Sequence, residues 1–199
     1  MNEQQLSYRC LNVEGIELVR ITLNRPEVRN AFNEVLIHEL NDVFRKLSSD
    51  DRCRVIVLQA AGKSFCAGAD LNWMKSMANF TNEENIADSR KMAQMLNTIY
   101  RCPKPVIARV QGDAYAGGVG LAAVCDIVVA STHARFCISE AKLGLLPATI
   151  SPYVIRALGE QASRRYFVTA EVFTATQAKE MGFVHELVDS EALDSKINE

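Results

Sequence analysis

One carboxylate and two short backbone segments carry the clearest chemical signal in this chain. Residues 111–147, QGDAYAGGVGLAAVCDIVVASTHARFCISEAKLGLLP, read as a loop, a glycine-led helix start, a buried strand and a second loop whose lone acid is Glu140. Gly117 and Gly118 stand just ahead of Leu121, Ala122 and Ala123, which begin a short apolar helix. A helix N-terminus presents unpaired N–H groups that stabilise negative charge, so Gly117 is a candidate donor to an oxyanion. Glu140 has Phe136, Ile138 and Leu143 for company. Burial among them would raise its pKa and let the carboxyl donate or accept a proton near neutral pH. The loop SFCAGADL is the second segment: Ala67, Gly68 and Ala69 are small enough for a ligand to approach the backbone. A plain turn would need Gly68 just as much.

Other chemistries find little support. Cys10, Cys53, Cys66, Cys102, Cys125 and Cys137 form no CxxC pair, which argues against disulfides and zinc and for reduced, buried thiols. His38, His133 and His185 are scattered rather than spaced as ligands, so no metal is expected. The formal net charge is -2 and no basic stripe runs along the chain, so no nucleic-acid partner is expected. The start, MNEQQLSYRC, lacks an apolar leader core, and no apolar run approaches the roughly 20 residues that span a bilayer. The expectation is a cytoplasmic protein without membrane contact.

The elements that must position these residues follow the α/β pattern of a single domain over residues 1–199. Residues 8–13 and 16–23 read as a hairpin across Glu14-Gly15. Asn33 caps a helix with Leu36, Leu40, Val43, Phe44 and Leu47 on one face. Residues 54–60 form a strand, 72–78 and TNEENIADSR a lid-like link, and Met92, Met95, Leu96 and Ile99 a core-facing helical stripe. Strands follow at 105–110 and 126–130. The two candidate loops would then share one edge of one parallel sheet, where ligands collect beyond the carboxyl ends of strands. The last third reads as a helix from Pro152, a second capped near Thr174 and ended by Gly182, and a strand at 184–188. No internal repeat or linker is visible.

LNRPEVRNAFN, SFCAGADL, AYAGGVGLAAVCDIVVAS and ARFCISEAKLGLLP occur here in the order and spacing of the crotonase superfamily, the enoyl-CoA hydratases and isomerases, which the chain resembles over nearly its whole length. The resemblance implies a repeated ββα superhelix, an acyl-CoA substrate with no separate cofactor, and homotrimers or hexamers. It also implies residue roles. Ala69 and Gly117 match the two backbone donors to the thioester oxygen, and Glu140 the acid–base that moves a proton at the α-carbon. Residues Ala67, Gly68, Ala69, Asp70 and Leu71 match the loop that cradles CoA. Arg29 falls near the nucleotide, where a phosphate partner and a solvated position are both open. The match departs from the hydratase pattern at Gly120, where the usual hydratase has its water-activating glutamate. Double-bond isomerisation by Glu140 alone, hydration with another group holding the water, and a non-catalytic binding or assembly module all fit. A dehalogenase-like branch does not, because its nucleophilic aspartate would fall at Ala148. ADLNWM, GGVGL and ISPYV resemble the bacterial branch acting on branched glutaconyl-CoA esters, such as methylglutaconyl-CoA and isohexenylglutaconyl-CoA hydratases, which favours hydration. Members of the superfamily usually continue several dozen residues into helices; this chain ends at SEALDSKINE, so the C-terminal helical segment is expected to be missing.

Overall fold

A computed structural model describes residues 8–199, which fold as a mixed α/β chain with two sheets. Most of the segment MNEQQLSYRC read above lies outside the described residues. Strands β1 (Leu11–Glu14) and β2 (Leu18–Leu23) pair antiparallel, Leu11 opposite Leu23. The hairpin is therefore narrower than the 8–13 and 16–23 expected, because Gly15 turns at φ +95 and residues 15–17 all belong to the turn. Alternation does the rest on β2: Val19, Ile21 and Leu23 are buried, while Leu18, Arg20 and Thr22 are half-buried on the opposite face.

Helix α1 (Glu34–Ser48) starts where Asn33 accepts the Leu36 N–H, as expected, and buries Leu36, Ile37, Leu40, Val43, Phe44 and Leu47. Each such side chain contributes about 1.5–3 kcal/mol by leaving water. Beyond it the chain repeats one unit three times: a strand in the large sheet, a short strand in the small sheet, then helix or turn. The pairs are β3 (Val55–Ala60) with β4 (Ser64–Cys66), β5 (Val106–Val110) with β6 (Asp113–Tyr115), and β7 (Ile127–Ser131) with β8 (Arg135–Cys137). With β9 (Val172–Thr174) and β10 (Glu186–Val188), the large sheet runs β1-β2-β3-β5-β7-β10 and the small one β4-β6-β8-β9. The fold is the ββα superhelix. The second sheet corrects the single parallel sheet read from sequence: its strands are three residues long, too short to show a period.

Three further corrections concern helices. Residues 72–78 and TNEENIADSR are not an irregular link. They belong to α2 (Leu71–Met77) and to α3 (Asn82–Tyr100), which Thr81 and Glu84 start with a reciprocal capping box. The helix expected from Pro152 is two, α5 (Ser151–Leu158) and α6 (Glu160–Thr169), because Gly159 at φ +80 interrupts it. After α7 (Ala175–Glu180), SEALDSKINE, to which the sequence reading gave no element, is a turn leading into α8 (Leu193–Asn198). Leu193 and Ile197 bury against Val57 and Val129, and Asp194 takes Arg109 and Arg20.

Candidate active site

Ala69, Gly117 and Glu140 lie three, two and three residues past the ends of β4, β6 and β8 (66 to 69, 115 to 117, 137 to 140). Those strands are parallel neighbours with β6 in the middle. The topology therefore brings the three residues to one carboxyl edge, where open α/β sheets take their ligands. It is the edge of the small sheet, not of the large one expected.

Gln111 helps to set this arrangement, its Nε2 donating to the carbonyls of Ala60, Gly62 and Ser64 and so tying the β3–β4 turn to the β5–β6 connection. At the start of α4 (Gly117–Ala123), Gly118 is required by close approach: a Cβ there would stand 2.3 Å from the Cys66 carbonyl oxygen. The two loops touch beside it. A Cβ on Gly68 would lie 2.9 Å from the Ala116 Cβ and 3.5 Å from the Gly117 nitrogen.

Ala69 forms a parallel bridge with Phe32. Phe32 donates its N–H to Gly68 O at 2.7 Å, and Asp70 donates its N–H to Phe32 O at 2.8 Å. Because successive N–H groups of an extended chain point to opposite sides, the Ala69 N–H faces away from Phe32. It has no acceptor among the described residues. Ala116 donates to Cys137 O and accepts from Val119 and Gly120, which leaves the Gly117 N–H likewise without an acceptor at the first position of α4. Ala116 is held at φ +48, ψ -118 to make this corner, a conformation costing about 1–3 kcal/mol in an alanine.

Glu140 opens the short turn Glu140–Leu143. Its Oε2 is buried without a hydrogen-bond partner, and burial pushes its pKa above the ordinary glutamate value, against a smaller opposing effect of its own N–H. Phe136 and Ile138 are fully buried as expected, whereas Leu143 is 59% exposed and does not shield the carboxyl as the sequence reading had it. At the position of interest in α4, Ile150 takes the space: a Cβ on Gly120 would stand 2.2 Å from Ile150 Cγ2 and 2.7 Å from its Cβ.

The remaining loop residues do different things. Asp70 is buried, caps α2 by accepting the Asn72 N–H, and pairs with Arg25 at 2.9 Å, so its side chain faces its own scaffold. Leu71 is 68% exposed. Arg29, in the left-handed region at φ +53, is exposed and makes no ion pair among the described residues; burial raises the Tyr115 pKa, and the Arg29 charge is a small opposing effect. Sequence reasoning missed Arg25, Ile150 and the contact of Phe32 and Met92 with Gly117, whose added Cβ would lie 2.9 and 3.0 Å from them. None of these left a local signal; the capping role of Asp70 did, as an aspartate directly before a helical run. Two clefts of about 510 and 210 Å³ open elsewhere, around Leu158–Tyr166–Met181 and around Cys125–Arg156–His185. Neither is lined by Ala69, Gly117 or Glu140. No group of metal-binding side chains occurs among the described residues, nor a helix long and apolar enough to cross a membrane.

Residues 14–199 match the family model described as enoyl-CoA hydratase/isomerase. The enoyl-CoA hydratase AKT6-1 of Alternaria alternata is 40% identical over 94% of this chain and 60% of its own length. The crystal structure of an enoyl-CoA hydratase from Shewanella pealeana superposes with a TM-score of 0.91 at 41% identity, covering 98% of this chain and 72% of that one. One from Mycobacterium smegmatis gives 0.91 at 37% identity over 96% and 74%. The chain spans 60% to 70% of the length of the curated relatives it matches.

Proposed function

Since the chain belongs to the enoyl-CoA hydratase/isomerase family, we propose that it hydrates a branched enoyl-CoA of the 3-methylglutaconyl-CoA type, with Glu140 as the proton donor and acceptor. The observation that carries this reading is the Glu140 carboxyl, its Oε2 buried and unpartnered, at the same sheet edge as two backbone amides that have no acceptor among the described residues. The amides of Ala69 and Gly117 stabilise the thioester oxygen as it gains charge. Water oxygen bonds the β-carbon, the double-bond electrons move to the thioester oxygen, and the α-carbon takes a proton from Glu140. The proton that water gives up leaves through the substrate's distal carboxylate to solvent, from which Glu140 is reprotonated. That distal carboxylate stands in for a protein acceptor, because Ile150 fills the space beside Gly120.

Residues 67–71 and Arg29 form the CoA-facing side of this reading, with no cofactor beyond the CoA of the substrate. Assembly with further copies belongs to it as well, supported by the exposed Leu143, Leu145 and Leu146 next to α6 with its exposed Val168. The same Gly120–Ile150 packing favours a second reading, double-bond isomerisation, which needs one base and no water. Rates on crotonyl-CoA, 3-methylglutaconyl-CoA and a 3-enoyl-CoA separate the two.

A further inference from the structure

Arg25 spans two segments that the sequence keeps far apart. Its Nη1 donates to the carbonyl of Ala31 and its Nη2 to Asp70 Oδ2 at 2.9 Å. Ala31 immediately precedes Phe32 and Asp70 immediately follows Ala69, so the guanidinium fork closes across the parallel bridge that holds Ala69. Both partners are largely out of solvent, with side chains 15% and 10% exposed.

The segment carrying Arg25 is itself rigidly held. Asn30 is fully buried; its Oδ1 accepts the Arg25 N–H, and its Nδ2 donates to the carbonyls of Ala61 and Ser64. Ala67 donates its N–H to Arg29 O at 3.0 Å, adding a second rung below the Phe32 pair. On the other side Asp70 fixes the first turn of α2 through the Asn72 N–H. That helix has no fully buried residue, and of its side chains Trp73 packs against the core. The direction of the Ala69 peptide thus depends on a frame whose one charged tie is the Arg25–Asp70 pair.

We infer that Arg25 and Asp70 are a positioning pair that holds the Ala69 N–H in line with the Gly117 N–H, an inference that rests on the oxyanion role proposed above. The pair touches no reacting atom. It acts by fixing one peptide, and Arg is needed because its planar fork serves the carbonyl and the carboxylate from two nitrogens held in fixed geometry, whereas a lysine offers a single nitrogen. Burial alone would raise the Asp70 pKa, yet donation from the Asn72 and Trp73 amides and from Arg25 outweighs it and holds the carboxyl below its ordinary value.

The test uses Asp70→Asn, which keeps an N-cap acceptor but removes the charge, together with Arg25→Lys and Arg25→Ala. The probe is 4-(dimethylamino)cinnamoyl-CoA, whose absorption moves to the red when its thioester carbonyl is polarised, whatever reaction the protein catalyses. The expected result is a red shift in the parent protein that falls by half or more in folded Asp70→Asn and Arg25→Lys. Turnover should fall about ten- to a hundredfold, the scale on which a misplaced reacting group costs rate, with KM changed less than about threefold. Added guanidinium should restore part of the turnover of Arg25→Ala. Full red shift and full turnover in folded Asp70→Asn and Arg25→Lys would overturn the inference, as would loss that follows only the lowered melting temperature. Absence of any red shift in the parent protein would instead overturn the oxyanion role, and the inference with it.

Discussion

Gly120→Glu offers the sharpest perturbation, because the space for its side chain is already taken. A Cβ at position 120 would lie 2.2 Å from Ile150 Cγ2 and 2.7 Å from Ile150 Cβ, against an ordinary carbon contact of about 3.5–4.0 Å. Ile150 is 2% exposed and has no free side to move to. Overpacking of this kind costs about 1–3 kcal/mol, and a glutamate asks for more room than a methyl. Shortening Ile150 to glycine clears the clash, since the next atom, Ile150 Cα, stands at 3.7 Å. Alone, Ile150→Gly leaves a cavity; by the scale of isoleucine truncations it costs about 2–5 kcal/mol. Combined, each change relieves the other, so the double variant should be more stable than the sum of the singles by about 1 kcal/mol or more. Thermal melts of the parent, both singles and the double close the cycle. The double variant should also hydrate crotonyl-CoA at least tenfold faster than the parent, followed by loss of the enoyl thioester's ultraviolet absorbance, and Gly120→Gln with Ile150→Gly should not. Additive stabilities, or a glutamine variant as active as the glutamate one, would refute the reasoning.

Glu140→Gln should fold and bind acyl-CoA while losing most turnover; acyl-CoA titration with steady-state rates checks both. Because the Glu140 pKa is raised in the folded state, its contribution to stability is full below the unfolded pKa and is lost as pH rises through the folded one. Glu140→Gln should therefore melt above the parent at neutral pH, with the gap closing toward pH 4. Gly117→Pro deletes one donor while pressing on Phe32 and Met92, 2.9 and 3.0 Å from an added Cβ, so a variant shown to fold by its circular dichroism should lose on the order of 10²–10³ in turnover. Cys66, pushed up to about 12 by burial, should resist alkylation in the native protein and react on unfolding, as mass spectrometry with and without denaturant would show.

Long elements were legible because their periods are. The α1 face and its Asn33 cap, and the strands near 54–60, 105–110 and 126–130, were all visible as patterns of burial or capping. The small sheet was not, since β4, β6, β8 and β9 are three residues each and their pairing spans dozens of residues. Consequently Ala69, Gly117 and Glu140 were picked out from their motifs, while the reason they share an edge lay in pairings that no local pattern records. Contacts such as Arg25 with Asp70, 45 residues apart, and Ile150 beside Gly120 are set by the superhelix and leave no mark in spacing. The ligand-loop motif runs on through Asp70, although its cap position ahead of α2 gives it a structural partner.

The proposed dependence on the substrate's own carboxylate is tested most directly by comparing hydration rates of purified protein on 3-methylglutaconyl-CoA and crotonyl-CoA, with product analysis on a 3-enoyl-CoA alongside. The account predicts a kcat/KM at least a hundredfold higher for the acidic ester, on the scale of about 1.4 kcal/mol per tenfold, and hydrated product. Equal rates on the two esters, or double-bond migration in the 3-enoyl-CoA without hydration of either, would contradict it.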